Sequence, residues 1–172
     1  MYIVYICIYS KQLKAQQNYN EQWLVKLELG KSIENSNYYS FQVERLNSEG
    51  LGSVSLQFDY LKNKKQIDKI KEETKITGRY LSVNYNYSLE KYIKIQNFKW
   101  SIGGGVLLAY ESMDYKIVQE DQWGYGVNLQ NEFLYYIWSN IGVSVTYKQS
   151  IFIESLYART FPMIGVGVKL GL

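Results

Sequence analysis

From Glu21 onward, apolar and polar residues alternate with a period of two, and no long stripe at helical spacing competes with that rhythm. Trp23, Val25, Leu27 and Leu29 share one parity, against Lys26 and Glu28 on the other. Tyr39, Phe41 and Val43 oppose Ser40, Gln42 and Glu44, and Val54, Leu56, Phe58 and Tyr60 oppose Ser55, Gln57 and Asp59. Arg79, Leu81, Val83, Tyr85 and Tyr87 alternate with Tyr80, Ser82, Asn84, Asn86 and Ser88. Four more stretches repeat the pattern: Trp100–Glu111, Gln122–Leu134, Ile137–Lys148 and Pro162–Leu172. The pattern predicts an all-β protein of eight strands.

The face that each parity adopts decides the class. Several segments reach the roughly 9–11 residues needed by a tilted strand that crosses a bilayer. The polar parity is Ser, Asn, Gln and Gly with few charges, which suits the narrow inside of a small barrel better than a surface in water. Gly103, Gly105, Gly124, Gly126, Gly142, Gly165 and Gly167 all fall on it. The expected fold is therefore an eight-stranded antiparallel up-and-down transmembrane β-barrel, with apolar residues toward lipid and closure removing every edge. The rival is a soluble lipocalin-like barrel with the apolar parity inward.

Composition agrees with strands and narrows the chemistry. The chain has 172 residues, 18 Tyr and 4 Trp, and 47% of its residues are hydrophobic. It has no His, one Cys (Cys7) and one Pro (Pro162), so histidine triads, His-ligated zinc and intrachain disulfides are excluded. A net charge of +3 says little about partners. Residues 1–17 begin with the apolar run MYIVYICIY and then turn polar. Two readings stay open for them: an atypical or truncated signal peptide, with the barrel over 18–172, or a buried first strand of a soluble domain.

On the inward parity the charges Lys26, Glu28, Glu44, Asp59, Glu111, Glu132 and Lys169 are the candidate interior polar network, because buried charges need partners. Tyr38, Tyr39, Tyr60, Tyr85, Tyr87, Trp100, Tyr110, Trp123, Tyr125, Tyr135, Tyr136, Trp138 and Tyr147 lie near inferred strand ends, as interface girdles do. Long connections are expected at Lys31–Asn37, Lys62–Thr74, Ser112–Asp121 and Gln149–Phe161 on one side. Turns are expected near Asn47–Gly50, Leu89–Lys99 and Tyr135–Tyr136 on the other. The mixed-charge stretch Lys62–Lys75 reads as a solvated loop rather than a nucleic-acid patch. The run Gly103–Gly105 leads into a strand pattern and lacks the spacing of a phosphate loop. No catalytic, cofactor or metal constellation emerges, so the expectation is a non-enzyme without a cofactor.

Several ordered segments carry a family likeness. They are NYYSFQVE (Asn37–Glu44), SLQFDY (Ser55–Tyr60), SIGGGVLLAYESMDY (Ser101–Tyr115), WGYGVNLQNEFLYYIWSNIGVSVTYKQS (Trp123–Ser150) and FPMIGVGVKLGL (Phe161–Leu172). In that order they resemble the TraO-like proteins of Bacteroidetes conjugative elements, with Ala109 where the family tends to have Gly and Leu172 where a terminal aromatic is usual. The resemblance implies a structural outer-membrane component of a conjugative transfer apparatus and does not imply contact with DNA; the partners expected are the lipid bilayer and other envelope or conjugation proteins, with no direct nucleic-acid binding. The alternatives are a general small outer-membrane barrel or adhesin, a soluble ligand-binding barrel, and a lipid-modifying enzyme. The oligomeric state has no signature in the sequence.

Overall fold

A computed structural model of the chain describes residues 23–32, 36–47, 51–67, 72–93, 95, 97–114, 119–156 and 159–172. The amino-terminal stretch 1–17, with both of its readings, lies outside them. The eight strands are β1 (Trp23–Ser32), β2 (Asn37–Leu46), β3 (Gly52–Ile67), β4 (Glu72–Ser88), β5 (Phe98–Asp114), β6 (Gln119–Trp138), β7 (Ile141–Phe152) and β8 (Thr160–Gly171). Each pairs antiparallel with the next, and β1 pairs with β8, from Leu24↔Gly171 to Ser32↔Met163. The sheet is a closed barrel in sequence order.

The apolar parity points out. Leu29, Val106 and Trp123 are 63%, 65% and 71% exposed, and Leu56, Phe58 and Val166 lie on the same wall. Soluble proteins rarely expose contiguous apolar patches beyond a few hundred Å². Here every strand contributes to the exposed wall, so its solvent is hydrocarbon. The soluble-barrel alternative, which puts these residues inside, is overturned by this burial pattern. On β5 the outward aromatics Trp100 and Tyr110 bracket Ile102, Gly104, Val106 and Leu108. That span is about 33 Å of strand, or about 25 Å along the axis at a tilt of about 40°, which matches the apolar band of a membrane barrel.

The inside is close. A Cβ on Gly105 would collide with the Val83 carbonyl oxygen and Asn84, and one on Gly126 with the Ile151 carbonyl oxygen. Glycine is thus required where neighbouring strands and inward side chains crowd the wall.

The strands are longer than the alternation alone indicated. Lys62–Ile67 continues β3 and Glu72–Lys75 opens β4, paired from Lys62↔Thr77 to Ile67↔Glu72, so most of the charged stretch read as a loop is hairpin. A ladder in water holds with charged side chains as well as with apolar ones, because the backbone makes its bonds. For the same reason Ser112–Asp114 and Gln119–Asp121 are strand, as are Gln149–Phe152 and Thr160–Phe161. The turn expected at Tyr135–Tyr136 falls at Ser139–Asn140, and Ile137 belongs to β6, where the register shifts between Tyr136 and Trp138. That bulge hides the end of the strand from a period-two reading. The connection from Leu89 to Asn97 is turned by backbone bonds from Tyr92 and Ile93 to the Leu89 carbonyl. Asn97 closes it in the left-handed region at φ 61°.

Candidate functional site

The inward parity places four carboxylates and three lysines in one continuous chain of contacts. It runs Asp59–Lys148 (3.2 Å), Lys148–Glu28 (2.8 Å), Glu28–Lys26 (2.9 Å), Lys26–Glu132 (2.7 Å), Glu132–Lys169 (2.5 Å) and Lys169–Glu44 (2.6 Å). Signs alternate at every step, so each of the three lysines in the chain touches two carboxylates. Six strands contribute, from β1, which supplies both Lys26 and Glu28, to β8, which supplies Lys169. The alternation follows from geometry: opposite walls of a narrow tube lie within one side-chain length of each other. Lys26 and Lys148 are each only 1% exposed, and partners on facing walls replace their water.

Neutral groups hold the chain in place. The Tyr38 hydroxyl donates to Glu28 at 2.7 Å, and its ring lies 5.1 Å from the Lys148 ammonium. Lys148 also donates to Ser40 Oγ, Lys26 to Thr146 Oγ1, Gln57 Nε2 to Asp59, and Ser53 Oγ to Glu44. Lys99 is buried too, within electrostatic reach of Glu44.

Above the charges, toward the end where β3–β6 stand tallest, Tyr38, Leu61, Tyr80, Leu107, Ala109, Phe152, Phe161 and Met163 form an apolar plug. Glu111 sits at this end, apart from the chain. Its carboxylate accepts from the Tyr80 hydroxyl (3.1 Å), Ser155 Oγ (2.8 Å) and the Leu156 amide (2.7 Å), tying down the β7–β8 connection. At the opposite end Leu24, Leu46 and Leu134 are buried. Side chains fill the bore. Among the described residues no carboxylate pair faces an open cleft, and no group of His, Cys, Asp and Glu is arranged to hold a metal ion.

Of the seven charges singled out in the sequence, the structure brings together Lys26, Glu28, Glu44, Asp59, Glu132 and Lys169 and sets Glu111 apart. Lys148 and Tyr38 were missed. Lys148 occupies the polar parity of β7, and that alone marked it as inward. Tyr38 reads as a girdle residue by its place at a strand end, but its parity is that of Ser40 and Gln42, and it is buried.

Outside, a row of cross-strand partners crosses the wall at the tall end: Leu29↔Tyr39↔Tyr60↔Arg79↔Tyr110↔Trp123. Tyr39 and Tyr60 pack at 6.4 Å between centroids, Tyr110 and Trp123 at 5.0 Å, and the Arg79 guanidinium lies 5.7 Å from the Tyr110 ring. At the other end Trp100 stacks on Phe133 at 5.5 Å, and Arg45 covers Trp23. Two aromatic girdles therefore frame the apolar band.

This is the fold of the eight-stranded outer-membrane barrels. A major outer membrane protein from Thermus thermophilus matches with a TM-score of 0.69 at 11% identity, over 88% of this chain and 99% of that one. The N-terminal β-barrel domain of Pseudomonas aeruginosa OprF matches at 0.66 and 12%, over 89% and 98%. The outer membrane enzyme PagL matches at 0.51 and 11%, over 86% and 98%. At such identities the likeness concerns fold and carries no shared chemistry. No protein-family model matches the chain, and no curated protein sequence matches it. The TraO-like resemblance thus gains no support from these comparisons beyond the segments that suggested it.

Proposed function

We propose that this chain is a structural barrel of the bacterial outer membrane, held by its apolar wall and working through the hairpins that stand beyond it. One observation carries the reading: apolar side chains are exposed on every strand while lysines and carboxylates are buried within. Only a hydrocarbon surround makes both favourable at once. The filled bore argues for an anchor and against a diffusion pore, and the charged chain acts as ballast that closes the tube. Every carboxylate of the interior chain is engaged by a lysine, which argues against general acid–base work.

The test is heat-modifiable gel mobility in an outer-membrane fraction. A folded band that shifts on boiling, extracted only by detergent, is the expected result; release from cells without detergent would overturn the reading. In planar bilayers the refolded protein should give no steady conductance.

Two finer parts of the proposal rest on the sequence. Residues 1–17 serve export, and a secreted form that begins at Met1 would contradict that. A place in conjugative transfer rests on the ordered segments from Asn37 to Leu172 that resemble the TraO-like proteins. A deletion strain that transfers DNA at the normal rate would remove it.

A further inference from the structure

The lipid-facing wall carries one site that the barrel itself does not require. Below the tall rim, Phe58, Leu81, Leu108, Tyr110 and Trp123 line an exterior groove of about 470 Å³, and Arg79 closes its upper end. Just above, Lys62 stands directly across from Thr77. The diagonal neighbours of Lys62 on β4 are Lys75 and Arg79, because the flanking pairs are Lys64↔Lys75 and Tyr60↔Arg79. Such diagonal positions lie about 7–8 Å apart. Lys62, Lys75 and Arg79 are all exposed on the outward parity, and the half-buried Thr77 adds a hydroxyl between them. Asp114 faces Lys75 across the β4–β5 ladder, and Asp121, hydrogen-bonded to Tyr110, lies within electrostatic reach of Arg79. These two carboxylates border the site on the β5–β6 side and leave the charge above the groove positive.

We infer that the Lys62–Lys75–Arg79 cluster and the groove beneath it form a binding site for one phosphorylated membrane lipid. The phosphate meets the three cations and the Thr77 hydroxyl, and an acyl chain lies along Leu81, Leu108 and Trp123. The chemistry of each half calls for the other. An apolar groove that opens to hydrocarbon fits an alkyl chain, and a basic triangle where hydrocarbon meets water fits an anionic headgroup. The exposed Arg79 links the two, because it lines the groove while its guanidinium lies over the Tyr110 ring.

This inference rests on the membrane-barrel reading, and the experiment separates the two. The refolded full chain in detergent is titrated with dioleoyl phosphatidic acid, with dioleoylglycerol and with inorganic phosphate, and native mass spectrometry counts what stays bound. One phosphatidic acid per barrel is expected, with neither dioleoylglycerol nor phosphate retained at the same concentrations. The triple variant Lys62→Gln, Lys75→Gln, Arg79→Gln should lose about a hundredfold in affinity. Arg45→Gln, which removes an outward cation at the opposite end of the wall beside Trp23, should bind like the parent. Leu81→Trp, which fills the groove, should weaken binding with the cations intact. Equal retention by the triple variant, equal retention of dioleoylglycerol, or capture of phosphate alone would each overturn the site. All samples are first checked for the heat-modifiable shift, and its absence from the parent protein would overturn the barrel reading instead.

Discussion

Removing Lys26 should cost far more than neutralising its partner Glu132. The interior chain holds four carboxylates, Asp59, Glu28, Glu132 and Glu44, against three ammonium groups, Lys148, Lys26 and Lys169. Lys26→Met leaves Glu28 and Glu132 facing the place that Lys26 filled, with one fewer cation among groups that are almost wholly buried. Breaking a buried pair from one side costs about 3–5 kcal/mol. Glu132→Gln behaves differently. Lys26 keeps Glu28 at 2.9 Å, Lys169 keeps Glu44 at 2.6 Å, and three carboxylates then balance three lysines. The loss is that of charge-assisted hydrogen bonds, about 1.5–3 kcal/mol, and the amide oxygen of the new side chain, still an acceptor, holds it to the low end. In the double variant position 132 carries no charge and the excess of carboxylates falls by one, so its cost should fall well short of the sum. The assay is reversible urea unfolding in lipid vesicles, followed by tryptophan fluorescence and the heat-modifiable band. Equal costs for the two single variants, or strict additivity in the double, would refute the alternating chain.

Three further outcomes follow from the same geometry. Gly105→Ala should lower stability by about 1–3 kcal/mol, because its Cβ drives into the Val83 carbonyl. Gly104→Ala, whose Cβ would sit 3.1 Å from the Asn128 carbonyl oxygen on the lipid side, should cost less by the same urea assay. Val106→Lys puts a charge midway between the girdle residues of β5 and should cost about 2–4 kcal/mol in vesicles, while a soluble barrel would tolerate it. Glu111→Ala frees Ser155 and Leu156, so trypsin should cut faster at Arg159 while the urea midpoint of the barrel changes little.

The alternation was readable because a strand in a membrane barrel has only two environments, hydrocarbon and bore. Leu56 and Phe58 against Ser55 and Gln57 announce both faces at once, and the side assignment then follows from glycine and small amides on the polar parity. Strand ends were less readable. Beyond Asn37, where the β2 ladder ends, the residues of Lys62–Ile67 and Glu72–Lys75 lack the apolar alternation while their backbone keeps its ladder. At Tyr136–Trp138 a bulge breaks the period before the strand stops.

By itself, then, the sequence determined that eight strands form and which face of each meets lipid, and it singled out six of the seven charges of the interior chain, Lys148 excepted. It could not say which lysine meets which carboxylate. Lys26 bonds Glu132 across 106 positions of chain, and Lys148 reaches Asp59 across 89. Those pairings exist only after β1 has closed on β8 and the stagger of the ladders has set the height of every inward residue. The same closure puts Glu111 above the plug rather than in the chain, and it draws Lys62, Lys75 and Arg79 together over one groove. Side-chain parity is a local property, because it repeats every two residues. Height and facing partner are properties of the closed sheet, because they depend on every register around the ring.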